Sequence, residues 1–146
     1  MQLTRMLSTM GALGLLVLAT VSCGFPAGTS TDKLTGSAQA DVLAAQRSHL
    51  RRVYLTVEAP VLKLLADDTR GIPHQRFLLT LTNGTTVLVA HDTQMAPRVP
   101  VRAGDMVKIH GEYIWNEKGG VIHWTHHSNS ILHEPGWIEL NGQRYQ

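Results

Sequence analysis

Met106-Val107-Lys108-Ile109-His110-Gly111-Glu112-Tyr113-Ile114-Trp115-Asn116-Glu117-Lys118-Gly119-Gly120-Val121-Ile122-His123-Trp124-Thr125-His126-His127 decides how this chain folds. Apolar and polar residues alternate on both sides of Asn116-Glu117-Lys118-Gly119, so the stretch reads as two strands joined by a turn. A four-residue loop with Gly119 in the left-handed conformation sets Trp115 opposite Gly120, Tyr113 opposite Ile122, Glu112 opposite His123 and His110 opposite Thr125. Val107, Ile109, Tyr113, Trp115, Ile122 and Trp124 then form a core face. His110, Glu112, His123, Thr125 and His127 form a polar one. A five-residue loop, Asn116 to Gly120, would exchange the faces and bury His123 and His127 among apolar side chains, because a one-residue slip inverts every side chain of a strand. Segregation of polar from apolar residues favours the four-residue loop.

Working back along the chain, Phe77 to Thr82 and Thr85 to Ala90 flank Asn83-Gly84. This pair suits a type I′ hairpin turn, with Thr82 facing Thr85, Leu78 facing Val89 and Arg76 facing His91. Phe77, Leu79, Leu81 and Leu88 are expected on the more apolar side, and His74, Arg76 and His91 together on the other. Val53 to Glu58 alternates as a further strand, and Pro60 marks a bend or bulge in it. Asp92 to Gly104, punctuated by Pro97 and Pro100, reads as a connecting loop. Trp137 to Leu140 is a short apolar run before an Asn141-Gly142 turn.

Five main strands in the order meander, crossover, hairpin predict a mainly β protein. The architecture that fits is a small five-stranded barrel of the oligonucleotide/oligosaccharide-binding type. At most one short helix is expected before it, within Ala38 to Arg52, with Val42, Leu43, Gln46 and Leu50 on one side. Trp115, Trp124 and Trp137 read as core residues first, and as stacking platforms second.

The first 22 residues read as a signal peptide. Arg5 precedes Met6 to Ala19, 14 uncharged residues rich in Leu, Met and Ala, shorter than the ~20 that span a bilayer as a helix. Cys23, the only cysteine, follows Thr20-Val21-Ser22 and precedes Gly24 as in a lipoprotein signal, although Thr20 stands where Leu is usual. Lipidation at Cys23 is expected, with an ordinary cleavage nearby as the alternative. The chain is therefore expected to be exported, to the periplasm or to a membrane surface by a lipid anchor. Residues 23–50 read as a tether with the short helix, and 51–146 as one barrel domain. A single cysteine leaves no intrachain disulfide to stabilise the barrel.

Without Arg5, 12 basic residues stand against 11 acidic ones, which is not the footprint of a general nucleic-acid binder. No Gly-rich phosphate loop, nucleophile elbow or CxxC pair occurs. The chemistry resides in the histidines. His110, Glu112 and His123, with His127 further along the same face, are a ligand set for a divalent metal ion, Zn or similar. His74, Arg76 and His91 are a second set, suited to a carboxylate or phosphate. The plainer readings are a solvated strand face and a strand-end hydrogen-bond network.

The motifs His74-Gln75-Arg76-Phe77, Val89-Ala90-His91, Gly104-Asp105 and Gly111-Glu112-Tyr113 through His126-His127 carry a resemblance. From about Val57 to Tyr145 the chain resembles a family of small exported bacterial proteins classed as a domain of unknown function. The resemblance implies no activity. The chain departs from that family at His91-Asp92-Thr93-Gln94, where His-Asn-Ile-Asp is usual, and at His126-His127-Ser128-Asn129, where His-His-Asp-Pro is usual. Both departures remove an acid, at Gln94 and Ser128. The motifs retain Asp67, Asp68, Asp105 and Glu112.

Three functions remain open on these residues. One is a small barrel binding a metal ion or small anionic ligand through its histidine-rich face. The second is a metal-assisted phosphodiester hydrolase, with Glu112 as general base and Arg76 stabilising charge. The third is a structural or interaction domain of the cell envelope.

Overall fold

The computed structural model describes residues 38–146. The expected signal peptide and Cys23 lie outside the described residues. The described elements are a short helix α1 (Ala40–Arg47) and strands β1 (Val53–Leu64), β2 (His74–Thr80), β3 (Thr86–Asp92), β4 (Met106–Ile114), β5 (Val121–His123), β6 (Trp137–Leu140) and β7 (Gln143–Tyr145).

The first five strands close on themselves. β2 pairs with β1 and β3, β3 runs parallel to β5, β5 pairs with β4, and β4 returns to β1. This is the expected five-stranded, OB-type barrel. Closure satisfies backbone groups that an open sheet would leave at its two edges. β1 is long because it serves both neighbours. Residues from Val53 to Pro60 pair with β4, and Val61 to Leu64 with β2, with a register irregularity between Val61 and Lys63. The bend expected at Pro60 therefore falls at the point where β1 changes partner. β6 and β7 extend the sheet beyond β4.

Alternation along the strands fills the interior. Val57, Phe77, Leu79, Val87, Val89, Ile109, Tyr113 and Ile122 are all fully buried. Burial of a side chain of this size stabilises the fold by about 1.5–3 kcal/mol. Burial also drives the Tyr113 phenol up to about 12. The helix belongs to this core: Val42 and Ala45 pack into it, and the buried Gln39 donates to the Glu58 carbonyl and accepts from the Thr82 backbone N–H. The folded unit thus includes residues read from sequence as part of the tether.

The β4–β5 register is the expected one, with Glu112 opposite His123 and Tyr113 opposite Ile122. Two other expectations are corrected. The β2–β3 hairpin has a three-residue loop: Leu81 and Thr85 are bonded, Gly84 alone has positive φ (81°), and Arg76 faces Ala90 while Gln75 faces His91. Val87 and Val89, rather than Leu88, enter the core. The two consecutive positive φ angles of a type I′ turn occur instead at Asn141 (52°) and Gly142 (79°), between β6 and β7.

The second correction concerns the end of β5. Trp124 takes φ of 52° and terminates the strand after His123, so Thr125 never pairs with His110. The chain then folds back across the outside of the barrel, where the Gly136 N–H donates to the His126 carbonyl. A Cβ at Gly136 would fall 1.9 Å from the Trp124 carbonyl oxygen, so only glycine permits this close crossing. Trp115, Trp124 and Trp137 are each only partly buried, and none fills the interior.

Candidate functional site

Glu112 and His123 are neighbours because the β4–β5 register places them directly opposite each other on the outer face. Outer-face position does not expose Glu112, which retains 4% of its surface. Arg52, just before β1, holds one carboxylate oxygen, with Nε 3.0 Å from Oε1. The other oxygen, Oε2, lies 2.9 Å from His123 Nε2. That approach is off the line of the ring N–H, so it is a close contact without an aligned hydrogen bond. Burial pushes the His123 imidazole below its ordinary value, and the Glu112 charge only partly opposes this.

The remaining members of the expected metal set are elsewhere. His110 is committed on both ring nitrogens, Nδ1 to Thr56 Oγ1 and Nε2 to Glu134 Oε1, each at 2.9 Å. It faces Trp137 of β6, not Thr125 of β5. His127 lies beyond the end of β5 and is exposed. The convergence of His110, Glu112, His123 and His127 is thus corrected to one pair, Glu112 with His123. Among the described residues no three His, Cys, Asp or Glu side chains form a metal-holding group.

The expected anion set divides similarly. The three-residue hairpin loop puts His91 on the inner face, fully buried. There Nδ1 lies 2.8 Å from Thr125 Oγ1 and Nε2 3.1 Å from the Pro97 carbonyl. Burial lowers its pKa. This is a structural imidazole that pins the loop after β3 to the chain after β5. Beside it Gln75 exchanges two hydrogen bonds with the Val99 backbone, donating at 2.7 Å and accepting at 2.9 Å. Arg76 turns outward and donates through Nε to the Ala66 carbonyl at 2.9 Å, so it does not meet Glu112 as the hydrolase reading required.

His74 does reach the site. It lines a cleft of about 490 Å³ with Arg52, Ile72, Asp92, Met95, His123, Trp124 and His126. The volume lies within the ~300–1,000 Å³ usual for small-molecule sites. Ile72, Met95 and Trp124 supply apolar surface, while Arg52, His74, His123 and His126 supply nitrogen. Asp92 is occupied in part by the turn that follows it, accepting from the backbone N–H groups of Gln94 and Met95 at 2.8 and 3.2 Å. Trp124 is fixed by stacking on His133, with ring centroids 3.8 Å apart, and packs at 5.2 Å against His126. His126 in turn contacts the His127 carbonyl through Nδ1 at 2.7 Å.

Arg52, Asp92, Trp124 and His126 were missed as site residues by sequence reasoning. Strand parity excluded Trp124 and His126, and the left-handed turn at Trp124 cancels that parity. Arg52 had an available signal, since it lies two residues before Tyr54, which pairs with Glu112 across β1 and β4.

The chain belongs to DUF3465, a family of proteins of unknown function, whose model matches residues 28–146. The match bears out the resemblance to a family of unknown function. Comparison with curated proteins finds no match.

Proposed function

We propose that this domain is a small binding module whose ligand is an organic anion with a compact apolar body, seated in the cleft over His123. The observation that carries the reading is the composition of one cavity: Arg52, His74, His123 and His126, with Asp92 tied to the Gln94 and Met95 N–H groups, beside Ile72, Met95 and Trp124. A guanidinium and imidazole donors suit a carboxylate or phosphate head, and the apolar wall suits the rest of the molecule. No nucleophile or proton relay is needed for this role. In the same proposal the domain works outside the cytoplasm, exported by the leader at residues 1–22 and held to a membrane by lipid on Cys23. Loss of membrane association in Cys23→Ser, with secretion retained, is the expected outcome of fractionation.

Phenyl phosphate and benzoate are suitable probes, titrated in chelator and followed through the Trp124 indole signal by NMR. Saturable shifts at Trp124 and His123 are expected. Arg52→Gln should weaken binding by about tenfold, the loss of one charge-assisted contact, and Arg76→Ala should leave it unchanged. Absence of saturable shifts with both probes would overturn the reading.

A further inference from the structure

Glu112 is a costly residue for this fold. It retains only 4% of its surface. Taking a carboxylate out of water carries a desolvation cost that a buried ion pair often fails to recover relative to apolar side chains of similar volume. Fold stability is therefore a poor account of a carboxylate at this position. Both of its oxygens go to side chains that line the cleft over His123: Oε1 lies 3.0 Å from Arg52 Nε, and Oε2 lies 2.9 Å from His123 Nε2. Glu112 itself does not line that cleft. We infer that Glu112 is a positioning residue, which aims the Arg52 fork into the cleft so that it grips two oxygens of one carboxylate or phosphate head.

Arginine carries its N–H donors in a rigid planar fork that matches carboxylate and phosphate oxygens two at a time. Glu112 meets Arg52 at Nε, on the flank of the fork, and this leaves the terminal nitrogens at its tip for a ligand. The Arg52 side chain is 68% exposed, and a side chain so exposed samples many rotamers unless something holds it. Glu112 is itself fixed. Its backbone is locked between Tyr54 of β1 and His123 of β5, and Val53, next to Arg52, is paired with Tyr113, next to Glu112. The carboxylate thus orders Arg52 before a ligand arrives, which raises affinity without adding a contact. Its negative charge acts the other way, because it repels an anion. The two effects have opposite signs, and the sign separates aiming from a bystander charge.

This role of Glu112 rests on the reading of the cleft as an anion site. Benzoate titrated into the full chain and its variants tests it by NMR, with the Arg52 Nε–H correlation followed first in the ligand-free protein. In the wild-type chain that proton should be protected from exchange, and Glu112→Gln should abolish the protection. The same isosteric variant should weaken benzoate roughly two- to tenfold, the loss expected when one side chain must be immobilised on binding. In an Arg52→Gln background there is no fork to aim, so Glu112→Gln should strengthen benzoate binding or leave it unchanged. Arg52→Lys keeps the charge without the fork and should lose most of what Arg52→Gln loses. An unprotected Nε–H in the wild-type chain would overturn the inference, whether or not Glu112→Gln folds as judged by near-UV circular dichroism. So would benzoate bound equally or more tightly by a folded Glu112→Gln, or an undiminished loss from Glu112→Gln in the Arg52→Gln background. A protected Nε–H in a chain that binds neither benzoate nor phenyl phosphate would instead overturn the cleft reading, and with it the ligand class, while the hold of Glu112 on Arg52 stood.

Discussion

His91 and His123 sit at the ends of neighbouring parallel strands, β3 and β5, and both imidazoles are held below their ordinary pKa by burial. They differ in what their nitrogens meet. His91 is fully enclosed and both nitrogens have partners, in Thr125 and Pro97. His123 keeps 27% of its side chain exposed to the cleft, and its buried Nε2 faces a carboxylate without an aligned bond. A fully enclosed histidine holds loops together; one whose ring borders a cavity can present that ring to a ligand. Exposure to the cleft, rather than pKa, separates the two roles.

The largest test of this contrast is His91→Ala. It removes a fully buried ring and strands its two partners, so a loss of about 3 kcal/mol is expected in chemical denaturation. Thr125→Val attacks the same network from the other side, leaving one imidazole nitrogen unpaired, at a cost of about 1–2 kcal/mol. His123→Ala should cost less than about 1 kcal/mol, since no aligned hydrogen bond is lost, while phenyl phosphate affinity falls. If His123→Ala were the more destabilising of the two alanine variants, the contrast would be inverted. Arg76→Ala is the smallest effect, within about 0.5 kcal/mol for an exposed side chain.

Proton linkage provides an independent comparison. Both rings have folded-state values below the ordinary 6.5, so the unfolded chain takes up their protons first as pH falls. Their contribution to stability is complete above about pH 6.5 and is lost progressively below it, toward the folded-state values. Denaturation midpoints measured between neutral and acidic pH should therefore decline. His91→Phe and His123→Ala should each reduce that slope, and a slope unchanged in both would contradict the assigned environments.

Elements with a strong local pattern were readable before any coordinates. Alternation from Val107 to Tyr113 and the Asn116–Gly119 loop led to the correct β4–β5 register and hence to Glu112 opposite His123. Asn83-Gly84 misled by one residue, because a three-residue loop with glycine alone in the left-handed region competes with the two-residue turn. That single residue moved His91 from the outer face to the interior opposite Gln75. At Trp124 the backbone leaves the strand in a conformation uncommon for a bulky residue, and no parity rule survives such a turn.

Sequence by itself determined the class of fold and the pairing of Glu112 with His123, because these depend on period-two patterning and on turn residues close in the chain, and its resemblance placed it in the family. Tertiary structure alone decided which histidines share a site. Arg52 and His74 come from distant segments and meet His123 only when the barrel closes, and the nearby His126 joins them because the backbone turns at Trp124. Whether an imidazole is satisfied depends on those same distant partners, and so it becomes visible only in three dimensions.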